Sequence, residues 1–574
     1  MKLNHPIAFL ILFSAFFFIT SLAFAQNIPP TEQPGAQTGR LQTELEQKKQ
    51  EFKEQKPQTP KITVEHPPEK PPAEKITFVL KGVTVTGATV FDLKEFIPIY
   101  ESTLGKTVTF DDLQVMVEKI KAQYRQAGYA TTTVYVPEQD IAAGIVEIRV
   151  AEGRMGALRM EGNRYTRTAL LERYFHTKQN ELLNIKKIQK DILRINQNPD
   201  LEAKIVITAG QDPSISDVVL KLEEEFPHHI GFGMDNQGTR LLGLYRGSQF
   251  YRSSNFTGRE DSLYVGTLFN SRSAGQSLSY LLPINTYGTK LGMDITDFTM
   301  KLGQEFKSFD ITGNSQIYVP HVNLELYLDE DTQASADMGL EIKSIKRKNS
   351  SETTASDQLR LPYLGFEFTQ YNLAGGTQTT WAPRLTFGTE NFLGASSRNH
   401  PSAGRAGTGG FFFRYGHTLR RLQRMPWQSY LSIRSQFQVA SHTLASSEQL
   451  QLGGGDSIRG YPQGDYMADT GGNLNLEWIF PSYFIPERWR LPSADVSLRH
   501  QVEMVTFVDV GGGKLKKVIP GEEGAKFLAS AGGGLRFRVA RDFYLQLQWA
   551  KPIRESPISG AGPSTFSFTF QIQR

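Results

Sequence analysis

The segment TFSFTFQI, Thr565–Ile572, near the end of the chain has a strict two-residue period. Successive side chains of a β-strand point to opposite sides, so Phe566, Phe568, Phe570 and Ile572 would form one apolar face. In YLQLQW, Tyr544–Trp549, one face is likewise apolar and the other carries glutamines. The same alternation marks five further segments: Ser262–Phe269, Lys290–Phe298, Ser432–Val439, Asn473–Phe480 and Leu535–Val539.

From Phe226 onward the chain consists of such strands, separated by clusters of Gly, Asn, Asp and Ser. A soluble β-sandwich would also alternate, but aromatic rows of this kind are typical of strands that face lipid. At about 22 residues for a transmembrane strand and its connection, residues 227–574 hold about 16 strands. That number is even and wide enough to leave an aqueous lumen. The sequence therefore predicts a transmembrane antiparallel β-barrel over residues 227–574.

The composition excludes several classes of function. The 574 residues include no cysteine, which excludes disulfides, thiolate zinc sites and cysteine nucleophiles. A formal net charge of +4 over this length gives no electrostatic footprint for nucleic acid. The sequence has no GxSxG or HExxH motif, and its ten histidines, His228-His229 included, lack metal-ligand spacing. We therefore predict no catalytic site, no metal and no cofactor.

The N-terminus predicts export from the cytoplasm. Residues 1–25 have one charge, Lys2, followed by an apolar run and the small-x-small site Ala23-Phe24-Ala25, as in a cleaved signal peptide. An uncleaved membrane anchor is the alternative. Residues 26–75 are rich in proline and predict an extended linker. Within it LQTELEQKKQEFKE, residues 41–54, favours a helix that either plugs a polar lumen or lies in water.

Two small domains are predicted before the barrel, at residues 76–153 and 154–226. Each has the order strand-helix-helix-strand-strand, which predicts an α+β fold. The first begins with a strand predicted at Phe78–Gly87. Sheets of this size have open edges, to which an extended peptide can add as a strand. The predicted helices are Phe91–Leu104, Asp111–Ala127, Thr168–Tyr174 and Ile185–Asn196.

One short motif places a charge inside the predicted barrel. In VTFVDVGGGK, Val505–Lys514, a strand puts Phe507, Asp509 and Gly511 on one face and the intervening valines on the other. A charged side chain is costly on the lipid face, so we expect Asp509 to point into the lumen. An inward carboxylate in a wide barrel attracts a cation.

A second motif supplies a candidate cation. LGGGDSIRGYPQGDY, Leu452–Tyr466, contains Ile458-Arg459-Gly460-Tyr461. Gly460 permits a tight turn, and Tyr461 offers an apolar ring with a polar tip. We expect this loop to fold back into the barrel and Arg459 to pair with Asp509. The alternatives are an exposed turn arginine and a solvated lumen carboxylate.

These segments resemble a known family. GYATTTVYVPEQDIAAGIVEIRVAEGR (Gly128–Arg154) is similar to the first polypeptide-transport-associated (POTRA) domain of two-partner secretion transporters, and NIKKIQKDILRINQNPD (Asn184–Asp200) to the second. Ile458-Arg459-Gly460-Tyr461 resembles the (V/I)RG(Y/F) signature of their sixth extracellular loop. Phe507, Asp509 and Gly511 resemble the FxDxG signature of a barrel strand. The chain departs from the family in having Ile458 for the common Val and in ending on Gln573-Arg574 rather than an aromatic residue.

The resemblance implies an outer-membrane transporter of the TpsB family, of the haemolysin/filamentous-haemagglutinin exporter type, with periplasmic POTRA domains. It also implies that these domains bind the N-terminal secretion domain of a secreted exoprotein. The barrel would be a monomeric pore in outer-membrane lipid, which the exoprotein crosses unfolded. One alternative is an assembly-type relative that inserts other barrels into the membrane. The other is a solute porin, which has no use for substrate-binding domains.

Overall fold

The computed structural model describes residues 30–51, 62–64 and 77–574, apart from residues 142, 211, 213, 351, 373, 492–495, 521, 540–541 and 555–563. The signal peptide predicted at residues 1–25 lies outside the described residues, and so do residues 26–29, 52–61 and 65–75 of the predicted linker. Among the residues described, no helix is both long and apolar enough to cross a bilayer. The first elements are a helix, α1 (Pro34–Glu51), and a short strand, β1 (Ile62–Val64).

The first small domain packs one long helix against a mixed sheet. Its elements are β2 (Thr77–Val79), β3 (Gly82–Thr86), α2 (Ile97–Tyr100), β4 (Thr107–Thr109), α3 (Phe110–Gln126), β5 (Thr133–Tyr135) and β6 (Ile145–Ala151). The central strand β6 pairs in parallel with β3 and antiparallel with β5, while β2 pairs with β4. α3 begins where the Thr109 hydroxyl caps the amide of Asp112, and it buries Ile120 and Tyr124 against the sheet.

A buried carboxylate completes the core of this domain. Glu152 accepts hydrogen bonds from the Tyr124 hydroxyl (2.8 Å), the Val90 amide (2.8 Å) and Thr89. Burial raises the pKa of Tyr124, and the hydrogen bond that its hydroxyl donates to Glu152 raises it further. Burial by itself would raise the pKa of Glu152, but these donors outweigh burial and hold that pKa below its ordinary value.

Two elements of this domain differ from the sequence prediction. The strand predicted at Phe78–Gly87 is two strands, because buried Leu80 lies where the chain changes its pairing partner from β4 to β6. The helix predicted at Phe91–Leu104 is only the single turn of α2 between two 3₁₀ turns. Phe96 is the one fully buried residue of that segment, so no continuous apolar face supports a longer helix.

The second small domain carries two helices on a four-stranded sheet. Its elements are β7 (Arg154–Glu161), α4 (Thr168–Tyr174), α5 (Ile185–Ile195), β8 (Leu201–Ala209) and β9 (Ile215–Glu224). The strand order β1-β8-β9-β7 places the linker strand β1 on the edge of β8, in parallel, with Ile62 opposite Ile205. α4 has the predicted bounds and α5 ends one residue before the predicted end. Ile188 and Ile192 of α5 lie in the core with Ile205 and Leu220.

In the described chain sixteen strands form a closed antiparallel barrel, and the predicted fold class is confirmed. The barrel strands are β10 (His228–Asp235), β11 (Arg246–Ser253), β12 (Ser262–Phe269), β13 (Ser273–Pro283), β14 (Lys290–Lys301), β15 (Thr312–Leu328), β16 (Thr332–Asn349), β17 (Glu352–Asn372), β18 (Thr377–Gly388), β19 (Phe412–Met425), β20 (Ser429–Ala440), β23 (Thr470–Pro481), β24 (Val502–Lys514), β25 (Ala525–Val539), β26 (Phe543–Pro552) and β27 (Thr565–Gln573). Between β20 and β23 the chain forms a separate hairpin of β21 (Leu450–Leu452) and β22 (Tyr466–Ala468). A short helix, α6 (Leu498–Gln501), precedes β24.

The barrel closes where β10 pairs with β27, from Gly231 opposite Gln573 to Asp235 opposite Thr569. Beyond these pairs, the backbones of Ile230 and Arg574 exchange two hydrogen bonds of 2.9 and 2.8 Å. Gln573 and Arg574, where the resemblance implies an aromatic residue, therefore extend the closing seam through their backbones.

The faces of the last strands follow the predicted alternation. Phe566, Ile572 and Trp549 are exposed on the outer surface, whereas Gln548 on the alternate face is buried. An apolar outer face and a polar inner face are the pattern of a barrel that sits in lipid.

The second small domain is fastened to one end of the barrel by polar contacts. Arg194 of α5 pairs with Glu325 of β15 (2.9 Å). The ring of His229, on β10, lies 2.9 Å from the carboxylate of Asp200. The ring of His176 contacts Thr286, between β13 and β14, at 3.1 Å. These contacts define the end of the barrel at which the second small domain lies.

Candidate functional site

The connection between β20 and β23, residues 441–469, is called loop 6 here. Its middle does not extend away from the barrel but lies within it, where Ile458, Arg459 and Tyr461 are almost completely buried. The hairpin of β21 and β22 divides the loop into a limb that enters the lumen and a limb that leaves it. The residues between the limbs form the tip of the loop.

Arg459 at the tip is bound by the inner wall of the barrel on β24. Its Nε and Nη2 donate to the two carboxylate oxygens of Asp509, at 2.7 and 2.6 Å. The backbone amide of Arg459 donates to the same carboxylate at 3.1 Å. A bidentate pair of guanidinium and carboxylate fixes orientation as well as distance. The structure thus brings together the two charges that the sequence analysis paired.

The other two residues of the wall motif also contact the tip. The Arg459 guanidinium lies 3.5 Å from the centroid of the Phe507 ring, a cation–π contact. A Cβ on Gly511 would lie 2.7 Å from Cδ1 of Ile458, so glycine leaves the room that the isoleucine occupies. Val508 is exposed on the outer surface, which places Asp509 on the inner face as expected.

The last two residues of the tip motif turn the chain and fix its exit. Gly460 has a φ of +91°, in the left-handed region that favours glycine. The hydroxyl of Tyr461 lies within hydrogen-bonding distance of the carbonyls of Ala529 (3.0 Å) and Arg554. The ring of Tyr461 belongs to an apolar cluster with Leu528 of β25. The tyrosine therefore contributes both an apolar surface and a polar anchor.

Sequence reasoning missed Glu477, a second carboxylate at the tip. This residue lies on β23, next to β24, and accepts hydrogen bonds from Arg459 and from Arg536 of β25 (2.8 Å). Arg434 of β20 lies 3.5 Å away. Three guanidinium groups thus compensate Glu477 and Asp509, which buried carboxylates require. A signal existed in NLNLEWIF, where Glu477 is the charged member of the polar face.

α1 occupies the lumen beside loop 6. The Thr38 hydroxyl donates to Ser315 Oγ on β15 (2.9 Å), and Glu44 pairs with Arg246 of β11 (2.7 Å). Leu41 packs in an apolar cluster with Phe298 of β14. The helix thus contacts the inner wall on three separate strands.

The start of α1 differs from the prediction, because the helix begins at Pro34 rather than at residue 41. Glycine destabilises a helix interior by about 0.5–1 kcal/mol relative to alanine, so Gly35 and Gly39 argue against a helical turn here. In the structure a Cβ on Gly39 would lie 2.6 Å from the carbonyl oxygen of Ser447 in loop 6. Close packing against loop 6 therefore overrides the local preference. Residues 52–54 of the predicted helix lie outside the described residues.

Another arginine joins the loops at the end of the barrel away from the second small domain. Arg405, between β18 and β19, donates to both carboxylate oxygens of Glu522, at 2.7 and 2.8 Å. It also donates to the carbonyls of Leu444 (3.2 Å) in loop 6 and Lys517 (2.9 Å), which with Glu522 lies between β24 and β25. One buried guanidinium thus holds three loops together at the mouth.

The elements inside the lumen are therefore held by charged and hydrogen-bonding contacts, together with the apolar clusters around Leu41 and Tyr461. A cavity of about 860 Å³ remains beside α1 and loop 6. Ion pairs and hydrogen bonds can be replaced by water when two elements separate, whereas an exposed apolar core is penalised in proportion to its area.

Within the described residues, no group of three or more His, Asp or Glu side chains could hold a metal ion.

Two family models match the chain. One, described as haemolysin secretion/activation protein ShlB/FhaC/HecB, matches residues 214–537, and the other, described as a POTRA domain of the ShlB type, matches residues 78–153. Among curated proteins, the heme/hemopexin transporter protein HuxB of Haemophilus influenzae strain 86-028NP is 24% identical over 474 residues, 80% of each chain.

Solved structures show the same architecture. The structure of CdiB from Escherichia coli superimposes with a TM-score of 0.71 at 19% identity, covering 96% of this chain and all of that one. The structure of BamA from Haemophilus ducreyi lacking POTRA domains 1–3 gives a TM-score of 0.52 at 18% identity, covering 87% of this chain and all of that one. Both matches show a shared fold.

Removing the charge of Arg459 is expected to release the tip of loop 6. The variant Arg459→Gln leaves Asp509 buried without its bidentate cation, which costs roughly 3–5 kcal/mol for a buried pair. We expect faster protease cleavage within residues 441–469 and a higher conductance of the purified protein in lipid bilayers. Arg421→Gln, at an exposed arginine of β19, is the control. Equal behaviour of the two variants would contradict the role of the pair.

Exchanging the charges of Arg459 and Asp509 distinguishes the contribution of Asp509 from that of Glu477. In the double variant Arg459→Asp with Asp509→Arg, the new aspartate lies beside Glu477, so we expect only partial recovery of protease resistance. Adding Glu477→Gln removes that repulsion between like charges and should restore more resistance than the double variant has. If the third substitution gives no gain, Glu477 does not share Arg459 with Asp509.

Proposed function

The chain belongs to the ShlB/FhaC/HecB family of haemolysin secretion/activation proteins, and from this premise we propose how its small domains and lumen move an exoprotein. It is an outer-membrane two-partner secretion transporter with periplasmic POTRA domains. Its family consists of transporters that export a partner protein. We assign residues 76–153 and 154–226 to two POTRA domains and residues 227–574 to a pore that acts as a monomer.

The proposed first step is capture of the N-terminal secretion domain of the exoprotein as an added strand of a POTRA sheet. The edge of β8 supports this step, since it already accepts an extended segment of this chain, β1, in parallel. An added strand gains affinity from backbone hydrogen bonds, which suits a transporter that must hold an unfolded chain. We infer that the secretion domain takes the place of β1 on β8.

The proposed second step is displacement of α1 and loop 6, so that the exoprotein threads the lumen unfolded. The observation that carries this proposal is the polar character of both obstructions, which are held by pairs such as Arg459–Asp509 and Glu44–Arg246. We assign Ile458, Arg459, Gly460 and Tyr461 to the closing tip, with Phe507, Asp509 and Gly511 as its receptor on the wall. Water solvates the separated charges, so the open state keeps a polar lumen.

We infer that the free energy that drives export in one direction comes from the exoprotein itself. No nucleotide-binding motif occurs in the sequence, and Gly231-Phe232-Gly233 lies on a barrel strand rather than at the start of a helix. Folding of the exported chain outside the cell removes it from the unfolded pool in the pore. Net export then follows from that equilibrium.

The alternative function, insertion of other barrels into the membrane, is weaker. The chain matches the secretion family over residues 214–537, whereas its likeness to BamA rests on a fold match of lower TM-score than that to CdiB. A diffusive porin would not require either POTRA domains or two lumen-filling elements.

Deletion of the gene is expected to remove one large protein from the culture supernatant, while barrels of the outer membrane stay at normal levels. Quantitative mass spectrometry of both fractions, with and without the gene, measures this and identifies the partner. A plasmid copy of the gene is the control for restored secretion. A general fall in outer-membrane barrels would instead mean an insertase.

Fixing α1 to the wall is expected to stop export. The hydroxyls of Thr38 and Ser315 are 2.9 Å apart, so Thr38→Cys with Ser315→Cys places two sulfurs within reach of a disulfide in a chain that has no other cysteine. Secretion should cease under oxidation and resume after reduction. Each single cysteine variant is the control. Unchanged secretion by the oxidised protein would contradict displacement of the helix.

Weakening β1 is expected to favour capture. Thr63→Pro removes a backbone N–H from the linker strand, whereas Thr63→Ala keeps it and serves as the control. The N-terminal segment of the exoprotein identified by mass spectrometry should bind the Thr63→Pro transporter roughly tenfold more tightly, about 1.4 kcal/mol, in a titration. Equal affinities for the two variants would mean that the exoprotein does not compete with β1.

A further inference from the structure

The limb of loop 6 that enters the lumen contains a buried turn that the tip motif does not explain. Residues Ser446–Glu448 form one 3₁₀ turn, and all three are buried. Glu448 is 1% exposed, although it is a charged residue in a loop. A carboxylate is almost never buried so deeply unless it is paired.

Glu448 is paired with two cations of the barrel wall. Its Oε1 lies 2.7 Å from Nζ of Lys343 on β16, and its Oε2 lies 2.9 Å from Nη1 of Arg414 on β19. Arg414 also donates to the backbone carbonyl of Glu448 (3.1 Å), and so does the Gln438 amide (3.0 Å). Both the side chain and the backbone of this turn are therefore held by the wall.

Lys343 is itself as buried as Glu448, with 2% of its side chain exposed. Its ammonium group also contacts Glu341 of the same strand, at 2.6 Å. Glu341 is paired in turn with Arg384 on β18. Three cations, Lys343, Arg384 and Arg414, share these two carboxylates, so losing Glu448 leaves Lys343 and Arg414 with less compensating negative charge.

This anchor is separate from the one at the tip. The tip is held by Asp509 and Glu477 on β24 and β23, and the turn by β16 and β19. In the barrel order, β17 to β20 lie between β16 and β23. Loop 6 therefore has two attachments to different strands of the barrel.

The buried turn is also the surface on which α1 rests. A Cβ on Gly39 would lie 2.6 Å from the carbonyl oxygen of Ser447, and a Cβ on Gly35 would lie 3.3 Å from Cβ of Ser446. These two glycines are four residues apart and so share one face of the helix. The helix thus packs on the turn through its two glycines. The turn is called the seat of α1 below, and a shift of the turn would remove this packing surface.

We propose that Glu448 is a positioning residue that acts through its turn: it forms a second anchor of loop 6 and holds the seat of α1. Breaking the contacts of Glu448 with Lys343 and Arg414 unseats the helix while the tip stays bound to Asp509. The proposal concerns the resting transporter alone and does not depend on which exoprotein is exported.

The test uses two single-cysteine reporters, which the cysteine-free sequence allows. Thr38→Cys reports on α1 and Ser457→Cys on the tip, and both positions are buried. Each reporter is combined with Glu448→Gln in the purified full-length protein, and the labelling rate with a water-soluble maleimide is measured. We expect the rate at position 38 to rise at least about tenfold, because Arg414 and Lys343 lose the counter-charge of Glu448, and the rate at position 457 to stay unchanged.

The matched control is Glu367→Gln, a lumen-lining carboxylate on β17. Glu448→Asp keeps the charge on a shorter side chain, and its labelling rate at position 38 should lie close to that of the unaltered protein. A rise at both reporters, or the same rise for Glu448→Asp as for Glu448→Gln, would show a general loosening and overturn the proposal. No rise at position 38, in a protein whose barrel is intact by heat-modifiable gel migration, would overturn it as well.

Discussion

The closed state depends on one arginine held between two carboxylates inside the lumen. Arg459 is bound bidentately by Asp509, contacts Glu477 and lies over the ring of Phe507. Without this contact, burial of the tip of loop 6 would be unfavourable, because moving the unpaired Arg459 guanidinium out of water costs several kcal/mol. The wall supplies the pairing, and the loop therefore crosses the lumen.

The second constraint is that the obstruction must remain displaceable. An apolar plug of the same size would gain free energy for each Å² it buried and would leave an apolar lumen when it moved. The contacts of α1 and loop 6 instead include many polar ones, such as Thr38–Ser315 and Glu44–Arg246. The close packing of these elements depends on glycines. Gly39 of α1 lets the backbone of Ser447 approach, and Gly511 of the wall lets the side chain of Ile458 approach, to distances that a Cβ atom would not allow.

Much of the fold was predictable because its signals are local. Strands such as Ser262–Phe269 and the helix Thr168–Tyr174 have the predicted bounds, since the period of the apolar residues reflects which side of each element is buried. The errors fall where a distant contact decides. The strand predicted at Phe78–Gly87 breaks at Leu80 because its two halves pair with different strands, and nothing in the ten residues themselves records that change.

The sequence by itself determined the alternation that makes a barrel, its number of strands, the inward direction of Asp509 and the residue types at the loop tip. The alternation and the direction of Asp509 follow from a two-residue period and from the penalty on charge in lipid, which act within a few residues, and the strand count follows from the length of the segment. Only the tertiary structure decided that Glu477 shares Arg459, that Glu448 finds Lys343 across about a hundred residues of chain, and that α1 begins at Pro34. Those outcomes depend on which surfaces the closed barrel brings within contact distance, and such proximity has no local pattern in the sequence.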